Sequence, residues 1–160
     1  MSTQATTIQA VTIQATTTET RTPATPTAQR IIGDEWVAQQ GDGAVTLAMT
    51  RCQSCSAAWF PPREVCSACA SPDVEQVRTA AVGVSYATTV VRIGPGQFRP
   101  PYTLSYVDIS GVRVLAHVPG ADPLPPDTPV RLTLGEIGED ADGVFSSYVA
   151  VPTAIVGGAS

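Results

Sequence analysis

Residues 51–70 read Arg51-Cys52-Gln53-Ser54-Cys55-Ser56-Ala57-Ala58-Trp59-Phe60-Pro61-Pro62-Arg63-Glu64-Val65-Cys66-Ser67-Ala68-Cys69-Ala70, and they hold all four cysteines of the chain as two Cys-x-x-Cys pairs. Two residues between thiolates let one tight turn aim both sulfurs at a point. A second such turn completes a tetrahedron around a metal, with Zn–S bonds of about 2.3 Å. The spacing predicts a zinc ribbon with Cys52, Cys55, Cys66 and Cys69 as ligands. Iron would use the same four residues, and a redox dithiol or disulfide pair is the competing use of paired cysteines. Four thiolates leave no open position for water, so the expected role of the metal is structural. A ribbon of about thirty residues buries too little apolar surface to stand unaided, and metal binding should supply much of its folding free energy.

Upstream of the first pair, residues 44–51 alternate, with Val45, Leu47 and Met49 on one face and Thr46, Ala48 and Thr50 on the other. That is the period of a half-buried strand. Before it, Asp34 and Glu35 suit a helix start and Gly41 suits a helix end, which predicts a short helix. Residues 1–30 contain eleven threonines and no aromatic residue. With so little bulky apolar material the segment cannot offset the entropy of ordering, and it is expected to be a flexible tail. Ile8, Val11 and Ile13 leave open a docking arm that orders on a partner.

Downstream, 73–78 predicts a brief strand, and five more follow at 81–93, 102–109, 112–118, 130–137 and 144–151, rich in Val, Thr, Tyr and Ile. Ser110-Gly111 fits a tight hairpin, and Glu139 to Gly143 an acidic turn. Five prolines between Pro119 and Pro129 make that connection a stiff irregular crossing. The expected organisation is a tail at 1–30, a short helix plus ribbon at 31–79, a β domain at 80–153 and a C-terminal tail at 154–160.

Composition narrows the chemistry. Of 160 residues only 14% are charged, and every basic residue is arginine, which removes Schiff-base catalysis through a lysine. A net charge of −5 argues against phosphate-backbone binding. No apolar run reaches the roughly 18 residues of a membrane span, and the first twenty residues carry no basic residue or apolar core of a secretion signal. A cytoplasmic location is expected, where paired cysteines serve metals. His117, the one histidine, lies in the apolar run Leu115-Ala116-His117-Val118 with no nucleophile in view and is expected to be structural.

Taken together, Arg51-Cys52-x-x-Cys55, Phe60-Pro61-Pro62-Arg63, Cys66-x-x-Cys69, Gly83-Val84-Ser85-Tyr86, Thr89-Val90-Val91, Pro101-Tyr102 and Gly111-Val112-Arg113 resemble a known family. It comprises small proteins in which a rubredoxin-like zinc ribbon precedes an OB-fold and which accompany acyl-CoA enzymes, chiefly thiolases and thiolase-like aldolases. The resemblance spans about Trp36 to Pro152. It implies a mainly β fold, with a five-stranded OB barrel after the ribbon. It also implies an accessory, non-catalytic role: a thiolase-fold partner supplies the reactive cysteine, while this chain packs on it and helps shape a channel for CoA thioesters. Ser56 and Ala70 stand where the family usually has glycine, and Ser67 where proline is common. A residue forced to positive φ there costs about 1–2 kcal/mol.

The loop Arg92-Ile93-Gly94-Pro95-Gly96-Gln97-Phe98-Arg99-Pro100-Pro101-Tyr102 is the most informative stretch outside the cysteines. Arg92 and Arg99 are candidates for CoA phosphates, and Trp36, Phe98, Pro101 and Tyr102 for partner contact. The plainer reading is a surface loop whose Phe98 caps the barrel. Two rival functions remain: an OB-fold for single-stranded nucleic acid, against which stand the few aromatics and the acidic charge, and an iron electron carrier on the four thiolates.

Overall fold

The computed structural model describes residues 30–120 and 122–153. Nearly all of the threonine-rich segment and the whole of 154–160 therefore lie outside the described residues. The strands are β1 (Arg30–Ile31), β2 (Val37–Gln39), β3 (Val45–Cys52), β4 (Ala58–Trp59), β5 (Val74–Arg78), β6 (Val82–Val91), β7 (Tyr102–Ile109), β8 (Val112–Val118), β9 (Pro129–Asp140) and β10 (Gly143–Pro152). A single 3-10 turn, Gly96–Phe98, sits between β6 and β7.

Five strands close a barrel. β6 pairs with β7, β7 with β8, β8 with β10, β10 with β9, and β9 returns to β6. All these pairs are antiparallel except β8 with β10. Closure leaves no barrel edge unpaired, and β1 adds in parallel beside the first half of β10. The fold is mainly β, as the sequence implies. Ser110 and Gly111, at φ 52° and 85°, make the tight β7–β8 hairpin, since both central residues of such a turn need positive φ. The expected acidic turn is shorter than read: Glu139 and Asp140 extend β9, opposite Val144 and Gly143. Arg30 and Arg99 hold those two carboxylates, which lets acidic residues stay in strand.

The short helix expected at 34–41 is not there; among the described residues there is no α-helix. Gly33 takes φ 76° and opens a turn in which Trp36 N–H reaches the Gly33 carbonyl (3.0 Å). The chain then runs as β2 along β3, with Val37 opposite Leu47 and Gln39 opposite Val45. A two-turn helix has few internal bonds to set against a ready strand edge, and tertiary pairing overrides local propensity. Gly41 falls in the β2–β3 turn, which ends at Gly43 with φ 81°.

The second sheet is built on β3, which pairs with β2, β4 and β5. Its Val45, Leu47 and Met49 are fully buried in one cluster with Val107, Val114, Val130, Leu132 and Ala150 of the barrel. Burying each such side chain contributes about 1.5–3 kcal/mol. The alternation of a half-buried strand predicts a wetter second face for β3. Thr50 is nevertheless buried, because Arg63 N–H donates to its hydroxyl (2.8 Å) and the hydroxyl donates to the Arg63 carbonyl (3.1 Å). The Phe-Pro-Pro-Arg segment thus covers that face.

The junction to the barrel is equally tied. Leu47 N–H donates to Thr79 Oγ1 (3.0 Å), Thr79 N–H to the Leu47 carbonyl (2.9 Å) and Ala80 N–H to Ser110 Oγ (2.8 Å). No helix of the described residues is long and apolar enough to cross a membrane.

Because ribbon strand and barrel share one core, Leu47→Ala is expected to cost about 2–5 kcal/mol. It should lower the urea midpoints reported by ribbon and barrel probes together; a shift confined to one of them would show two independent cores.

Candidate metal centre

The first knuckle follows β3 directly, and the second lies between β4 and β5. In each, the backbone folds the same way. Ser56 N–H donates to the Cys52 carbonyl (2.9 Å) and Cys52 N–H to the Ala57 carbonyl (2.9 Å); Ala70 N–H donates to the Cys66 carbonyl (2.9 Å) and Cys66 N–H to the Ser71 carbonyl (2.9 Å). Closing each turn requires a left-handed residue after the second cysteine. Ser56 and Ala70 take φ 61° and 57° there, so the turns keep their shape without glycine and carry its steric cost.

The two turns bring all four sulfurs within 4.8 Å of one another. Cys52 Sγ lies 3.7 Å from Cys69 Sγ, and Cys55 Sγ 3.6 Å from Cys66 Sγ. A tetrahedron with corners about 2.3 Å from its centre has edges of about 3.8 Å. The donor set therefore fits a tetrahedral thiolate-binding ion, and all four cysteines are free. Cys52 and Cys66 are each 1% exposed while Cys55 and Cys69 face solvent, so the cluster has a dry inner side and a wet outer one.

Electrostatics point the same way. Burial opposes ionisation of Cys66, but the backbone N–H groups of Cys69 and Ala68, the Trp59 indole and Cys55 outweigh it and bring the thiol down to about 6. At Cys69 the Ser71 backbone favours the thiolate, yet the crowding sulfurs of Cys55, Cys52 and Cys66, together with burial, push it up to about 12. Four sulfurs this close cannot all carry charge unless a cation sits among them. The Trp59 indole nitrogen is buried without a hydrogen-bond partner of normal geometry, and an anionic Cys66 is the acceptor that would satisfy it. Arg63 stacks over Trp59 at 5.5 Å. The roles of Trp59 and Thr50 were not read from the sequence, because each depends on a partner that no spacing rule identifies.

The remaining predicted residues fall elsewhere. Trp36 packs edge-on against Phe60 (5.8 Å), which packs edge-on against Tyr148 of β10 (6.1 Å). Phe98, read as an exposed candidate, is half-buried against Phe145, Tyr102 and His117 at 5.6–5.8 Å. Pro101 and Tyr102 line the same barrel-end cavity. Arg99 pairs with Glu139 and lies 3.8 Å from Glu136, whereas Arg92 is exposed and forms no ion pair among the described residues.

Residues 46–75 match the family model described as "ChsH2, rubredoxin-like zinc ribbon domain". That match covers the segment carrying the four cysteines and leaves the barrel to the comparisons that follow. It is 27% identical over 106 residues to a DUF35 domain-containing scaffold protein of Methanocaldococcus jannaschii, covering 61% of this chain and 74% of that protein. It is 33% identical over 96 residues to benzoylsuccinyl-CoA thiolase subunit BbsA of Geobacter metallireducens, covering 59% of this chain and 65% of that one. The solved Ltp2-ChsH2(DUF35) aldolase superposes with a TM-score of 0.52 at 27% identity, over 66% of this chain and 84% of that chain. These likenesses bear out the family resemblance drawn from the sequence.

Ser56→Gly and Ala70→Gly should each stabilise the metal-loaded chain by about 0.5–1 kcal/mol, the relieved left-handed strain less the added freedom of the unfolded chain. Slower metal loss to a chelator would confirm it; faster loss in both variants would contradict it.

Proposed function

We propose that this chain is a non-catalytic accessory subunit of a thiolase-fold acyl-CoA enzyme complex, an acyltransferase or a retro-aldol lyase, and that it carries a structural zinc on Cys52, Cys55, Cys66 and Cys69. The observation that carries the proposal is the likeness, across ribbon and barrel together, to a thiolase subunit and to the DUF35 part of an aldolase. Four thiolates give zinc no open position, so the ion supplies cohesion and no Lewis-acid step. The chain's own residues provide surface. The barrel's strand order, with the first strand paired to both the second and fourth and the third parallel to the fifth, supports classing it as an OB-fold.

On this reading, the loop between β6 and β7 faces the partner and borders the CoA-thioester channel. Arg92 supplies a cation for CoA phosphates; Arg99, already matched by Glu136 and Glu139, mainly fixes the loop. Trp36, also a candidate for partner contact, braces the ribbon against the barrel through Phe60 and Tyr148. Free thiols in a metal-binding arrangement support a cytoplasmic setting.

The test is co-expression with a thiolase-fold protein from the same source. A stable hetero-complex is expected, with acyl-CoA turnover that needs both chains. Thioester turnover by this chain alone, or no association with any thiolase-fold protein, would overturn the proposal.

A further inference from the structure

A cavity of about 480 Å³ opens at the barrel end, away from the cysteines, between the β6–β7 loop, the end of β8 and the middle of β9. Its wall is a set of flat rings. Tyr102 and His117 stack with centroids 5.2 Å apart and planes at 26°, and Phe98 lies 5.6 Å from His117. Phe98 is itself held by the edge of Phe145 at 5.8 Å. Glycine at position 138 makes this possible: a Cβ there would lie 2.4 Å from the Gln97 carbonyl oxygen and 2.6 Å from the Phe145 ring, so no larger residue would let the loop close down.

The polar groups of the cavity constrain what fits. Burial lowers the pKa of His117, so its imidazole is neutral at pH 7, and among the described residues it makes no hydrogen bond. One ring N–H and one ring lone pair are therefore open. Glu136 also lines the cavity, while the Arg99 guanidinium is occupied by Glu136 and Glu139. A polyanion would find no unmatched cation inside. A purely aliphatic group would leave the imidazole unsatisfied in a half-buried site, which costs free energy. An uncharged planar ring with its own donors and acceptors satisfies both conditions. The place is also where barrels of this topology take ligands, on the second and third strands beside the loop joining the first to the second.

We propose that this cavity binds the adenine ring of CoA or of a CoA thioester, stacked on the Phe98, Tyr102 and His117 wall. The inference rests on the CoA-linked role proposed above. Arg92, the residue after the Val91–Tyr102 pair, is exposed and has no ion pair among the described residues, and on this proposal it is the cation offered to the attached phosphates.

Calorimetric titration of the full metal-loaded chain, and of its complex with the thiolase-fold subunit, with CoA, adenosine and pantetheine tests the assignment. In the full chain alone, CoA and adenosine should compete for one site and pantetheine should not bind; in the complex, adenosine should still bind. Phe98→Ala should weaken both about tenfold, as expected for one lost stacking partner. His117→Leu, in a strand that keeps its pairing, provides the same readout if the loop variant misfolds. Failure of adenosine to bind either preparation, competition by pantetheine in the chain alone, or tighter binding of a single-stranded oligonucleotide than of adenosine would overturn it. A chain that binds adenosine and joins no thiolase-fold protein contradicts only the accessory-subunit reading; one that forms the complex and ignores adenosine contradicts only the cavity assignment.

Discussion

The convergence of four sulfurs within 4.8 Å is the constraint on which the rest of the ribbon depends. Around that point there is little apolar packing: β4 has two residues, β5 has five, and most of the cysteine loops are exposed. Without a cation, the crowded thiols resist ionising together, as the opposed shifts of Cys66 and Cys69 show. With one, their mutual repulsion becomes shared attraction, and two strained left-handed turns are held at a cost the metal offsets.

Strand β3 carries this local order into the larger body. Its Cys52 belongs to the cluster, its Thr50 anchors the proline-rich connection, and its Val45, Leu47 and Met49 belong to the barrel core. Ribbon and barrel are therefore joined through one strand, and Thr79 and Ser110 fix the short link between them. A surface built across both parts keeps its shape, which is what the proposed accessory role would draw on.

The sequence discloses what is local. The Cys-x-x-Cys spacing locates the knuckles because a turn of two residues has few geometries, and the β7 and β8 bounds are legible because alternation and a Ser-Gly hairpin agree. The helix at 34–41 misleads because its caps are real local signals that lose to the free edge of β3. Phe98 looks exposed from its glycine- and proline-rich loop, and only the fold reveals the three rings that receive it. The cover on Thr50 and the indole beside Cys66 are contacts between segments, which no periodicity encodes.

X-ray absorption at the metal edge of the purified full chain tests the central claim most directly. The account predicts one zinc per chain, surrounded by four sulfurs at about 2.3 Å. A shell containing oxygen or nitrogen, or a metal-free chain whose ribbon is equally well folded, would contradict it.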